Sequence, residues 1–239
     1  MPSPELRVIL PHESLGAAED LEGGLRLLSE VRDGSLGAHL RLYRPVPTLA
    51  FGQRDVRLPG FQRATTAAGA HGFTPVVRKA GGRAAAYHRG TLVVDHVERE
   101  AEAMLGHQAR FIRFGDLFVR ALGRLGVEAA VGEIPGEYCA GEHSVHGRTP
   151  DGTLIKLAGT AQRVVQGAWF FSSVVVVENS APLRAVLADV YPALGVEMEP
   201  STVGAAEDTG VAGVTVEAFT EALLAEYGQE YRLTGEAPA

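Results

Sequence analysis

The 239-residue sequence predicts an α+β fold built around a mainly antiparallel sheet, and three observations carry that prediction. Residues 161–177 read as two strands joined at Gln166-Gly167, a hairpin signature. Helical periods are scattered along the chain without the regular spacing of strand–helix–strand units. No internal repeat is present, which removes solenoids and propellers.

Taken in order, residues 14–31 carry Leu21, Leu25 and Leu28 at i, i+4 and i+7, an amphipathic helix entered at Ser14. Residues 40–43 and 48–51 read as strands set apart by Pro45 and Pro47. The stretch 59–70 is helical in its second half. A short apolar strand at 74–78, a glycine-bearing loop at 80–83 and a strand at 91–97 follow. Asp116 is placed to cap a helix whose inward face is Leu117, Ala121, Leu122 and Leu125. Strands at 144–145, 154–157 and 161–165 lead into the hairpin. Two helices close the chain, one from Ser180 with Leu183, Val186, Leu187 and Val190, the other from Thr215 with Val216, Phe219, Leu223 and Tyr227. Residues 199–213 read as a loop and are expected to be mobile. No convincing linker divides the chain, so a single domain over 1–239 is expected.

Composition narrows the classes. Apolar residues are 46% and charged residues 21% of the chain, which suits a continuous core and not disorder. No apolar run approaches the roughly 20 residues that span a bilayer, so no membrane partner is expected. Residues 1–11 mix acid and base and lack the long apolar region of a secretory signal. A single cysteine forbids an internal disulfide, and a cytoplasmic location is the default. The net charge of -7 discourages a nucleic-acid partner. Its distribution is uneven, however. Arg54, Arg57, Arg63, Arg78, Lys79, Arg83 and Arg89 are opposed only by Asp55 in that stretch. Such a stretch is either a solvated basic face or a site for an anionic partner. The only lysines are Lys79 and Lys156. Each offers a compact, mobile charge where arginine offers a rigid fork.

Three segments can carry chemistry. In Arg78-Lys79-Ala80-Gly81-Gly82-Arg83, running on to Tyr87-His88, the glycines allow close backbone approach and free amides for an oxyanion, or simply make a turn. In Gly136-Glu137-Tyr138-Cys139-Ala140-Gly141 the cysteine sits in a glycine-flanked turn that favours exposure. A nearby cation or base would make its thiol a nucleophile; without one it is an inert residue. In Lys156-Leu157-Ala158-Gly159-Thr160-Ala161, small residues leave room beside the ammonium for a ligand or for a close strand crossing. His143 and His146 are spaced i, i+3 and face opposite sides of a strand, so no metal site is expected.

In this order and spacing, the segments resemble the superfamily of lipoate–protein ligases, biotin–protein ligases and octanoyltransferases. Arg78, Gly81, Gly82 and His88 match its arginine-rich strand, glycine pair and histidine. Lys156, Gly159 and Ala161 match its lysine motif, and Arg41-Leu42-Tyr43 through Phe51-Gly52-Gln53 looks like its first hairpin. The resemblance covers about residues 15–178. It implies an α+β fold like the cores of class II aminoacyl-tRNA synthetases and biotin synthetase. The Tyr138–Gly141 turn is similar to that of cysteine-dependent octanoyl-[glycine-cleavage H protein]:protein octanoyltransferases.

That resemblance implies an acyl-thioester on Cys139, with Lys156 polarising the acyl carbonyl or holding its oxyanion. Arg78, Gly81, Gly82, His88, Gly159, Thr160 and Ala161 would bind substrate. The implied partners are the glycine-cleavage H protein or acyl-carrier protein as donor and lipoyl-domain proteins as acceptor, with no cofactor. Departures exist: Lys79 stands for a second arginine, Arg83 for a third glycine and Arg89 for an aspartate. Arg83 is expected to crowd or recharge the pocket. An ATP-dependent lipoate–protein ligase is the second expectation, although the domain-sized extension of full ligases is not expected beyond Ala239. A non-catalytic acyl- or cofactor-binding paralogue is the third.

Overall fold

The computed structural model describes residues 3–10 and 13–235, so residues 1–2, 11–12 and 236–239, and part of the segment read as no signal, lie outside the described residues. The chain runs β1 (Glu5–Ile9), α1 (Ala17–Asp33), β2 (His39–Tyr43), β3 (Thr48–Phe51), α2 (Phe61–Ala70), β4 (Thr74–Val77), β5 (Ala85–Tyr87) and β6 (Thr91–Arg99). It continues with α3 (His107–Arg124), β7 (Ala129–Val131), β8 (Val145–Arg148), β9 (Leu154–Val165), β10 (Ala168–Val176), α4 (Ser180–Leu194), α5 (Val216–Glu230) and β11 (Arg232–Gly235).

Eight strands form a mixed sheet in the order β11-β1-β2-β6-β10-β9-β8-β7. Pairing is antiparallel from β2 through to β7 and parallel only where β1 meets β11 and β2. The α+β expectation therefore holds. The β9–β10 hairpin is in place, with Val165 opposite Ala168 and Gly167 at φ 85 in the turn. Along β10 the pleat alternates two faces. Trp169, Phe171 and Val175 join the core with Phe114 and Phe118 of α3 and Phe219 and Leu223 of α5. On the opposite face, Phe170 packs against Leu27, Leu28 and Val31 of α1. A second sheet, β4-β3-β5, is backed by α2 and α4. The candidate site lies on the α1 side of the large sheet, where the small sheet approaches it.

Several local expectations change. β2 and β3 are not a hairpin: Pro45 and Pro47 carry the chain between sheets, and β3 pairs with β4 and β5 instead. Asp116 does not cap α3, which begins at His107 after Gly106. The face through Leu117, Ala121 and Leu122 is buried as expected, extended upstream by Phe114. Ser14 does not cap α1 either; its hydroxyl bonds the Asp20 carboxylate and the helix starts at Ala17. Thr215 does cap α5, accepting the Ala218 N–H at 3.1 Å. Residues 154–165 make one continuous strand, not two. Residues 199–213 are packed, with Val203, Ala205 and Ala206 buried and Val203 bridged to Lys156. Among the described residues no helix is long and apolar enough to cross a membrane.

Candidate active site

The site forms where the loop after β4 meets the turn before β8. The Arg78 N–H bonds the Phe51 carbonyl at 2.9 Å, extending the β3–β4 pairing and fixing where the Arg78 side chain leaves the strand. The glycine loop then folds back on Gly52, where a Cβ would stand 1.9 Å from the Gly82 carbonyl oxygen. Buried Asp55 locks this approach, accepting the Gly52 N–H at 2.8 Å and Arg83 Nη1 at 3.2 Å. The Arg83 guanidinium is thus held by a carboxylate and is not part of the cavity wall, so the crowding expected of it does not occur. Its backbone N–H instead points at the Cys139 sulfur, 3.2 Å away.

Cys139 is half-buried and adopts φ 44, a left-handed conformation uncommon for a residue with a side chain. Its neighbours fix it there. The Cys139 N–H bonds the Tyr191 hydroxyl at 2.6 Å, which donates to the Ala84 carbonyl at 2.9 Å. The Cys139 carbonyl accepts from Lys156 Nζ at 2.9 Å. At the sulfur, Arg78 Nη2 is 3.4 Å away. Burial opposes ionisation of the thiol, but Arg78, then Lys156, then the Arg83 N–H outweigh it and hold the thiol below its ordinary value. Arg78 is also desolvated, yet Tyr87 and Cys139 beside it keep its charge more firmly than usual. Its Nη1 donates to the Tyr87 hydroxyl at 3.2 Å and its Nη2 to the Arg83 carbonyl at 2.6 Å.

Lys156, on β9, is buried to 1% exposure. Nζ donates to the carbonyls of Tyr138 at 3.0 Å and Cys139, and lies 3.4 Å from Glu137 Oε1. Desolvation lowers its affinity for a proton, against the pull of Glu137 and Cys139. Glu137 Oε1 also accepts the Gly141 N–H at 3.0 Å and the Ser144 hydroxyl at 2.6 Å.

Cys139, Arg78 and Lys156 border a cavity of about 630 Å³. Leu21 and Leu25 of α1, Val76, Phe111, Phe170 and Val174 give it apolar walls, while Tyr43, Asp95 and Ser172 add polar groups. Two of the three leucines that make the first helix amphipathic therefore face this cavity. Gly81, Gly82, Gly159, Thr160 and Ala161 also border it, but His88 does not. His88 is buried, with Nδ1 accepting the Gly90 N–H at 2.9 Å and Nε2 facing the Asn179 carbonyl at 2.7 Å. His143 stacks on Phe111 at 4.9 Å in the cavity wall, whereas His146 bonds the Gly132 carbonyl. Asp55, Glu137 and Tyr191 were not singled out from sequence. Glu137 lies within the cysteine segment, but nothing local signals its contact with Lys156.

An acyl chain suits the apolar walls, and a thiol with two N–H donors at one end suits thioester exchange. Residues 18–228 match the model of the lipoyl protein ligase A/B catalytic domain. The octanoyl-[GcvH]:protein N-octanoyltransferase of Exiguobacterium sibiricum is 30% identical over 163 residues, 66% of this chain and 56% of that protein. The protein of the same name from Anoxybacillus flavithermus is 25% identical over 183 residues, 74% of this chain and 63% of its own. The matched region thus spans less than two thirds of these relatives. Lipoate-protein ligase A bound with ATP superposes with a TM-score of 0.71 at 15% identity, covering 98% of this chain and 90% of that one. A putative lipoate protein ligase from T. acidophilum with bound lipoic acid gives 0.69 at 17% identity with the same coverage, and both share the fold. With the match extending over 18–228, the chain belongs to the lipoyl protein ligase A/B catalytic domain family.

Proposed function

We propose that this protein moves an octanoyl or lipoyl group from a carrier protein to the lysine of a lipoyl-domain protein through a thioester on Cys139. The observation that carries this reading is the Cys139 sulfur itself, beside an apolar cavity, with the Arg83 N–H at 3.2 Å and the Arg78 guanidinium at 3.4 Å. In the first step the Cys139 thiolate attacks the donor carbonyl and the donor's leaving group departs with a proton, a thiol from the thioester of acyl-carrier protein or a lysine amine from the octanoyl-lysine amide of H protein. In the second the acceptor amine attacks the acyl-enzyme, loses a proton and restores the Cys139 thiolate. Neither step consumes nucleotide. The donors in keeping with this are the glycine-cleavage H protein, named in both transferase relatives, and acyl-carrier protein.

The structural relatives favour a second reading, ATP-dependent ligation of a free acid, since one of them is a ligase with ATP bound. Intact-mass measurement separates the two. Mixing the protein with octanoyl-loaded H protein and, separately, with octanoyl-loaded acyl-carrier protein should leave an octanoyl adduct on Cys139 without nucleotide. Complete transfer to a lipoyl domain should run equally fast with and without ATP and magnesium. Strict ATP dependence with no adduct from either donor assigns the protein to the ligases.

A further inference from the structure

The two cations at the cysteine occupy different positions, and their donors decide what each can do. An ammonium has three N–H donors. Those of Lys156 have three acceptors around them: the Tyr138 carbonyl at 3.0 Å, the Cys139 carbonyl at 2.9 Å and Glu137 Oε1 at 3.4 Å. The same Glu137 oxygen takes the Gly141 N–H and the Ser144 hydroxyl. One buried ion pair thus ties the turn at 138, 139, 141 and 144. Between these ties Cys139 holds φ 44, a conformation unfavourable for a residue with a Cβ that persists where its surroundings enforce it. Arg78 reaches the sulfur directly, at 3.4 Å.

We propose that Glu137 and Lys156 are positioning residues, a buried clamp on the Cys139 turn, and that Arg78 is the cation that meets the reacting sulfur and the oxyanion formed beside it. The chemical meaning rests on the acyl-transfer reading above. When the thiolate adds to the donor carbonyl, its oxygen carries a negative charge until the bond to the carrier's leaving atom breaks. Arg78 lies at the bond-forming atom. For Lys156 to reach that oxygen it would have to release a backbone carbonyl or its buried carboxylate, each a cost to a group with almost no access to water.

Because the chain has one cysteine, alkylation by iodoacetamide followed by intact mass reports on Cys139 alone, and it needs no acyl donor. An absence of acyl adduct would therefore remove the transfer reading without obscuring this test. Arg78→Gln should raise the midpoint of the alkylation pH profile by about 1–3 pH units, the effect of an opposite charge within ~4–6 Å, and leave the high-pH plateau unchanged. Glu137→Gln and Lys156→Met should each lower that plateau, and the double variant should be no slower than the slower single, as for two groups acting as one unit. Melting curves identify any variant that fails to fold. Should Lys156→Met not fold, Glu137→Gln against Arg78→Gln decides alone, plateau loss against midpoint shift. Multiplying losses in the double variant, or a midpoint that moves further for Lys156→Met or Glu137→Gln than for Arg78→Gln, would overturn the assignment.

Discussion

A Cβ on Gly82 would stand 2.7 Å from the Cys139 sulfur and 2.5 Å from Arg78 Nη2, while one on Gly81 would meet nothing within 4 Å. The two glycines look equivalent in sequence and are not. Gly82 also has φ 98, whereas Gly81 is not in the left-handed region. Gly82→Ala should therefore destabilise the fold by about 1–2 kcal/mol. By moving the sulfur or its cation, it should also slow acylation of Cys139 by about 10²-fold. Gly81→Ala should match the parent in melting temperature and acylation rate. Equal behaviour of the two variants would mean that the loop does not gauge the distance to Cys139.

Thiol ionisation sets the pH dependence of the first step. An ordinary thiol titrates near ~8.5, and the Cys139 thiol is held lower once Arg78, Lys156 and the Arg83 N–H overcome burial. The thiolate is then present from below that ordinary value upward and is lost as pH falls through the folded value. Acylation should accordingly have its midpoint below that of an ordinary thiol and decline on the acid side. Cys139→Ser, with no ionisable thiol, should give no adduct at any pH while melting as the parent does. An adduct in the serine variant would remove the covalent mechanism.

Local signals made the β9–β10 hairpin legible, since alternation and Gln166-Gly167 are contained in one stretch of chain. β5 was not: Ala85-Ala86-Tyr87 has little strand character and is a strand because β3 lies beside it. The edge strands β7 and β11, with β1 between β11 and β2, were missed for a similar reason. Each is short, and β1 pairs parallel with residues at the far end of the chain. The site divides the same way. Arg78, Cys139 and Lys156 stood out within their motifs, and the fold brings them to one cavity. The groups that hold them come from long-range contacts, Tyr191 onto the Cys139 N–H and Asp55 onto Arg83, which no local spacing encodes. His88, expected to border the acyl group, instead satisfies both ring nitrogens within the protein.

The basic stretch also separates once it is folded. Arg78 and Arg83 are engaged around the site, whereas Arg54 and Arg57 are exposed. Charges of this second kind act mainly on encounter, which salt screens. Reversing Arg54 and Arg57 to Glu should slow association with an acidic carrier by about tenfold at low salt and flatten its salt dependence. Transfer from the preformed acyl-enzyme to a small amine should be unchanged. Stopped-flow association at several ionic strengths tests this, and an unaltered rate would leave these arginines as a solvated face.

The length of acyl chain accepted should depend on Gly24, far from the cysteine in sequence. A Cβ there would lie 2.6 Å from Phe170 Cζ and 3.1 Å from Asp95 Oδ2. Alanine is the better helix former by about 1 kcal/mol, but forcing a methyl into a packed site costs about 1–3 kcal/mol. The side chain that must give is Phe170, which packs against Leu27 and Leu28 on one side and borders the open cavity on the other. Movement into the cavity meets least resistance, and it shortens the space available to an acyl tail. A methylene gained or lost in an apolar pocket changes discrimination by about 10–200-fold. Gly24→Ala should thus lower the ratio of octanoyl to hexanoyl adduct formation by at least about tenfold, at little change in melting temperature. Competition between the two acyl carriers, read by intact mass, gives that ratio directly. A ratio equal to the parent's would show that the acyl tail does not reach Phe170.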